Sequence, residues 1–183
     1  MRAFVRASEG DAATILRIGA QGRAALAAMG LDQWSGGTPT PAQVARDVAG
    51  GWARLALDDG VPVGIMSVCA GGERDYDAVN PGSGGWLVAS ANDPADGDVR
   101  YLVCHRVAVA ADARRRGVAR YMYQCAVKEA RAAGMASVRV DTHAGNVPMQ
   151  RLLVSLGFRH CCDVTISNDL EPTKLRLGYE LVL

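Results

Sequence analysis

Apolar positions along the chain change their period several times, and each change marks an element. Phe4-Val5 opens as a short strand, and Ser8-Glu-Gly-Asp11 supplies an N-cap serine with an acid three residues on. The alanine-rich segment that follows carries Ile15, Leu16, Leu26 and Met29 at helical spacing, with Gly19, Gly22 and Gly30 expected to break the helix in two or end it. A loop around Trp34 comes next, its ring expected to pack under the helices rather than line a pocket. Thr40-Pro41-Ala-Gln43 starts another helix, with a capping threonine, proline at the first position and a glutamine to close the capping box, and Gly50-Gly51 ends it. Trp52 to Leu57 and Val61 to Cys69 read as two strands joined by the hairpin turn Asp58-Asp59-Gly60.

The next stretch, Gly71 to Asp98, is rich in Gly, Asp, Asn, Pro and Ser, and only Gly85 to Ala89 could make a strand there. So long a connection is either a substrate-facing flap or a mobile surface loop. Tyr101 to Val109 is a mostly buried strand, and it runs through the turn Ala110 to Ala119 into a helix whose narrow face is Ala119, Met122, Ala126, Ala130 and Ala133. Gly134 stops that helix. Ser137 to His143 is a strand, Asn146 stands at an N-cap with Pro148 in the first turn, and Leu152, Leu153 and Leu156 bury the helix that Gly157 closes. A strand from Phe158 to about Ile166, a turn at Ser167 to Pro172 and a last strand to Leu183 complete the chain. The predicted class is α/β (α+β): a mixed, mostly antiparallel sheet of six to seven strands flanked by helices. It has one parallel crossover, from the Tyr101 strand to the Ser137 strand, which should be right-handed, and a ligand belongs at the carboxyl end of the first crossover strand.

At 183 residues the chain suits one domain, 1–183, with an insertion loop at about 71–98. Lys and Arg number 20 against 19 Asp and Glu, so no global charge favours nucleic acid or an anionic membrane. No apolar run approaches the roughly 20 residues of a membrane helix, and a cytoplasmic setting is expected. The five cysteines, Cys69, Cys104, Cys125, Cys161 and Cys162, show no CxxC spacing and read as reduced, mostly buried thiols. His160-Cys-Cys-Asp163 is not expected to hold a metal, because adjacent strand residues point to opposite faces.

The chemistry concentrates in the turn. Arg114, Arg115 and Arg116 crowd positive charge at a helix N-terminus where the macrodipole is already positive, a placement for which the fold alone has no use. Free first-turn amides, a glycine that lets them approach and flanking arginines make a cradle for phosphate or pyrophosphate. Arg114-Arg-Arg-Gly117-Val-Ala119, followed at the expected distance by Asp141-Thr-His143 and by Asn146 through Gly157-Phe158, resembles the signature of the GNAT superfamily of N-acetyltransferases. Weaker similarity reaches Asp32-Gln-Trp34 and the Arg46-Asp47 helix upstream, and Lys174 to Leu183 downstream, so it spans almost the whole chain.

The resemblance implies acetyl-CoA as cofactor. The pyrophosphate would take the turn formed by Arg114, Arg115, Arg116, Gly117, Val118 and Ala119, while the pantetheine arm would pair with Val107, Ala108 and Val109 and reach Asn146. It also implies direct attack, in a ternary complex, by the primary amine of a small molecule or peptide. Relatives place a tyrosine acid four residues before the Gly-Phe pair and a glutamate on the strand before the turn. Here those positions hold Leu153 and Val103. His105, on the face of Val103 and Val107 by alternation, is the remaining candidate for a base, or else a packed strand histidine. Asp141 and His143 could support the site or merely hold the strand and its following loop, while Cys104 and Cys161 are not needed as nucleophiles. The alternative is a non-catalytic acyl-CoA-binding or sensor domain. No Gly-x-Gly-x-x-Gly and no P-loop occurs, and one arginine cluster without aromatics is too small a footprint for nucleic acid. Long hairpins and exposed strand edges would permit a homodimer.

Overall fold

A computed structural model describes residues 1–167 and 171–183. Part of the turn expected at Ser167 to Pro172 therefore lies outside the described residues. The strands are β1 (Arg2–Arg6), β2 (Ala53–Asp58), β3 (Val61–Cys69), β4 (Tyr101–Val109), β5 (Ser137–His143), β6 (Arg159–Thr165) and β7 (Leu175–Val182). The helices are α1 (Ala12–Ala28), α2 (Pro41–Ala49), α3 (Val118–Ala132) and α4 (Val147–Ser155). Seven strands form a mixed sheet of order β1-β2-β3-β4-β5-β7-β6, in which β4 and β5 are the parallel pair. The sheet class and the crossover are those expected. Backbone contacts divide the chain into two units, residues 1–68 with 104–126 and residues 69–103 with 127–183.

In the first unit, β1 pairs with β2 and β2 with β3, both antiparallel. The β2–β3 turn has positive φ at Asp59 (49°) and Gly60 (82°), the twist that suits a tight hairpin. Thr40 Oγ1 accepts from the Gln43 amide at 3.2 Å and the Thr40 amide donates to Gln43 Oε1 at 2.8 Å, so the capping box of α2 forms as expected. Thr40→Ala should therefore cost about 1 kcal/mol of unfolding free energy. A urea midpoint unchanged from the parent would show the cap to be idle.

The glycines of α1 do not break it. The helix runs unbroken through Gly19 and Gly22 because other groups occupy the space where their side chains would be. A Cβ on Gly19 would lie 2.5 Å from the Pro39 ring, and one on Gly22 would lie 2.8 Å from Ala108 Cβ and 3.0 Å from the Trp34 ring. Close packing outweighs the roughly 1 kcal/mol propensity cost of each glycine. Trp34 accordingly packs against α1.

The second unit joins β5 to β7 and β7 to β6 in antiparallel ladders, with Tyr101, Leu102 and Val103 of β4 alongside Ser137, Val138 and Arg139. The strand expected at Gly85 to Ala89 does not form. Its peptide groups bond to buried charges instead of a neighbouring strand. Glu180, fully buried, accepts from the Leu87 and Val88 amides, and Arg139 Nη2 donates to the Val88 carbonyl at 2.6 Å. The Arg139 guanidinium also donates to Glu180 Oε1 at 2.9 Å and to Asn92 Oδ1 at 2.8 Å, and it lies 4.5 Å from the Trp86 ring centroid and 3.8 Å from that of Tyr101. The long connection is thus anchored by one buried ion pair and its aromatic neighbours.

One local expectation changes. The β6–β7 register shifts between His160 and Cys162, and the Cys161 and Cys162 thiols come within 4.0 Å of each other rather than pointing to opposite faces. The inserted residue breaks the alternation. No group of three or more His, Cys, Asp or Glu suited to a metal occurs among the described residues.

Candidate functional site

In the first unit β4 leads to the turn, and it is not a regular strand. Arg106 has φ +52°, a left-handed conformation that costs a non-glycine residue about 1–2 kcal/mol. Alternation therefore stops at Arg106, and the shared face read for His105 and Val107 does not follow from it. His105, Arg106 and Val107 are half-buried, whereas Ala108 is buried.

At this position the side chain enters a largely buried ion pair. Arg106 Nε donates to Asp47 Oδ2 at 2.7 Å and Nη2 to Asp47 Oδ1 at 2.8 Å, a two-pronged contact, and Nη2 also reaches Ser67 Oγ at 3.2 Å. Asp47 is only 4% exposed. The pair lies beside a small recess of about 10 Å³ whose wall includes Ile15, Pro39, Val44, Ile65, Met66 and Arg54. Sequence reading did not find this pairing. An arginine inside an apolar strand was its one outward sign, and its partner lies 59 positions away.

Past Val109 the chain makes a short 3-10 turn, Ala111–Ala113, and then the arginine turn. Arg115 (φ 62°) and Gly117 (φ 78°) are both left-handed, a conformation that can aim successive backbone N–H groups toward one point. The amides of Arg115, Arg116 and Gly117 donate to no acceptor among the described residues, and α3 begins at Val118 with Tyr121 N–H bonded to the Gly117 carbonyl at 3.0 Å. A Cβ on Gly117 would find only Arg2 Nη1, 3.7 Å away, so the turn's surface is open there.

The arginines divide their work, which corrects the expectation that the fold has no use for them. Arg114 donates to the Val109 carbonyl at 3.3 Å and to the Gln21 carbonyl at 2.6 Å, tying the turn to β4 and α1. Arg116 pairs with Asp58 at 3.2 Å, and its carbonyl accepts from Arg2 Nη2 at 2.6 Å. Arg115 is exposed and has no such partner among the described residues. A fixed left-handed backbone, unspent amides and a spare guanidinium at the positive end of a helix dipole suit a polyanion.

In the second unit, Asn146 is 8% exposed and its Oδ1 accepts the Met149 amide at 3.3 Å, so it caps α4. Val103 and Leu153 are both fully buried hydrocarbon. The His143 ring accepts the Gly145 amide at Nδ1 (2.9 Å), which places the proton of the neutral ring on Nε2. Asp141 accepts the Tyr76 hydroxyl at 3.0 Å, and burial together with that carboxylate holds the Tyr76 hydroxyl above its ordinary pKa, keeping it a donor. Tyr76 sits in the glycine-rich connection, where no periodicity announces a buried residue.

A mixed sheet with one parallel pair, β4 and β5, and a turn of open amides and arginines between β4 and α3 defines the architecture of the chain. The comparisons narrow it to a family. Residues 31–158 match the acetyltransferase (GNAT) family, and the chain belongs to it. It is by family an N-acetyltransferase, an acyltransferase. A solved acetyltransferase of the GNAT family from Streptococcus agalactiae is 28% identical with a TM-score of 0.84, covering 100% of this chain and 95% of that one. The ribosomal-protein-S18-alanine N-acetyltransferase from Escherichia coli (14%, TM-score 0.66, coverage 100% and 94%) shares the fold. So does yncA from Salmonella typhimurium, solved with its cofactor acetyl-CoA (17%, TM-score 0.64, coverage 100% and 94%). No curated protein sequence matches this one.

Proposed function

We propose that the protein transfers an acetyl group from acetyl-CoA to a primary amine of a small molecule or peptide, by direct attack in a ternary complex. The observation that carries this reading is the arginine turn, with its unspent amides at Arg115, Arg116 and Gly117 and the partnerless Arg115 guanidinium. Those groups would hold the pyrophosphate, with Arg114, Arg116, Val118 and Ala119 completing the loop and Val107, Ala108 and Val109 offering backbone to the pantetheine arm. Asn146 is read as a further pantetheine partner in addition to its capping role. When bound, acetyl-CoA supplies a thioester whose carbonyl a neutral amine can attack. The chain must position that amine and remove its proton, and His105, half-buried two residues ahead of the pantetheine strand, is the proposed base. A cytoplasmic setting belongs to the same proposal.

A second reading, a non-catalytic acyl-CoA sensor, draws support from the fully buried hydrocarbon at Val103 and Leu153. Calorimetric titration with CoA and acetyl-CoA, using ADP and NAD as controls, tests the cofactor, and an amine panel then separates the two readings. Micromolar CoA binding with turnover of an amine supports transfer, and binding without any turnover leaves the sensor. His105→Ala should lower kcat about 100-fold while sparing CoA affinity, the size expected for one general base. An unaltered pH–rate profile would return His105 to a packing role.

A further inference from the structure

We infer that Cys161 and Cys162 form a two-thiol site that captures a soft electrophile of the trivalent organoarsenic class. Both residues belong to the second unit, and the site needs nothing from the arginine turn. Consecutive strand residues ordinarily face opposite ways, but the β6–β7 register shift between His160 and Cys162 brings the two sulfurs to 4.0 Å. Thiolates stand about 2.3 Å from a soft centre, so two on one atom are roughly 3.3–4.0 Å apart for bond angles of about 90–120°. The pair is already at that span. A disulfide fits less well, since it needs sulfurs about 2.05 Å apart and Cα atoms usually about 4.4–6.8 Å apart, whereas chain neighbours are held at about 3.8 Å.

Both sulfurs lie beside Gly178 of β7. A Cβ there would stand 3.0 Å from Cys162 Sγ and 2.9 Å from the Trp86 ring, and the Gly178 carbonyl accepts from the Cys161 thiol at 3.5 Å. Cys161 is half-buried and Cys162 buried, so Cys161 gives entry and Cys162 closes the chelate. When the pair loses its first proton, the remaining one bridges the sulfurs, which holds Cys162 below the usual thiol range and, with burial, Cys161 above it. The thiolate so favoured is the attacking form. Among the described residues no third His, Cys, Asp or Glu joins the pair to make a metal site, whereas an arsenic(III) centre carrying one carbon substituent asks for two sulfurs only. With phenylarsine oxide, both S–H bonds and the arsenic–oxygen bond break, two As–S bonds form, and the two protons leave with the oxide oxygen as water. Arsenic stays trivalent and no oxidant is needed. The adduct is neutral, which suits its setting: Cys162 belongs to a buried apolar cluster with Tyr76, Tyr101, Val103 and Val164, and Trp86 and Cys161 pack against it.

The test mixes the reduced, native protein with an equimolar amount of phenylarsine oxide and follows intact mass and free thiols. A single phenylarsenic group should bind while two thiols disappear, and peptide mapping should place both losses at Cys161 and Cys162. Ethanedithiol should release the group and a large excess of glutathione should not, because a two-point hold outlasts a one-point hold by about 100- to 10,000-fold. Cys161→Ser should lose the glutathione-resistant capture, whereas Cys125→Ser should keep it. Thermal unfolding of each variant checks that it folds, and should Cys161→Ser fail to do so, the mapping on the unaltered protein decides. No capture by the native protein overturns the inference. So does capture that maps to Cys69, Cys104 or Cys125, the other free thiols, or that survives Cys161→Ser, or that appears only in urea.

Discussion

Gly117→Val should raise the CoA dissociation constant at least 100-fold, equivalent to about 2.7 kcal/mol, with a smaller loss of stability of about 1–2 kcal/mol. Gly117 has φ +78°, where a β-branched residue is strained by about 1–2 kcal/mol, yet a Cβ there meets no backbone and only Arg2 Nη1 at 3.7 Å. The folded chain can therefore absorb the substitution. A pyrophosphate cannot, because the turn's amides must touch it and the added methyls would stand in the way. Gly117→Ala should fall between the two, carrying most of the backbone strain with fewer added atoms. Calorimetric titration alongside thermal unfolding reads both quantities. CoA affinity unchanged in Gly117→Val would remove the cradle from this turn.

Glu180→Ala should be the most destabilising single change, at about 3–5 kcal/mol, a large part of the 5–15 kcal/mol that typically holds a domain together. Glu180 is fully buried and accepts from the Leu87 and Val88 amides, the Ser137 hydroxyl and Arg139 Nε. Its removal leaves Arg139, 1% exposed, as an unmatched buried cation and strips two backbone amides of their acceptor. The anchored connection should loosen with it. Limited proteolysis is expected to cut within residues 71–98 far faster in the variant, alongside the lowered urea midpoint. A loss below 1 kcal/mol with unaltered proteolysis would mean that packing around Trp86 and Tyr76, whose ring centroids are 4.5 Å apart, holds the connection without the charge.

Much of the fold was legible because its signals are local. The capping box at Thr40, the Asp59-Gly60 turn, the order of strands and helices and the arginine turn each depend on residues within a few positions of one another. The fold class and family could be read for the same reason, since the signature from Arg114 through Phe158 is nearly continuous in sequence. Readings failed where a distant group intervened. The glycines of α1 looked like breaks until Pro39, Trp34 and Ala108 were seen to fill the space beside them. Residues 85–89 looked like a strand because their apolar content is right, but their peptide groups are claimed by Glu180 and Arg139, which lie 41 positions apart.

The candidate site divides along the same line. Sequence by itself determined the arginine turn, because its amides and guanidiniums come from consecutive residues. It also placed leucine at 153 and valine at 103, the positions where the resemblance leads one to expect a tyrosine and a glutamate. Only the tertiary structure decided which arginine stays unengaged among the described residues, since Arg114 and Arg116 are held by Gln21 and Asp58 and Arg115 is not. It likewise decided that Arg106 leaves the regular strand to meet Asp47 across 59 positions. Periodicity and spacing describe what a segment can do alone, whereas a buried charge is settled by whichever opposite charge the fold brings to it.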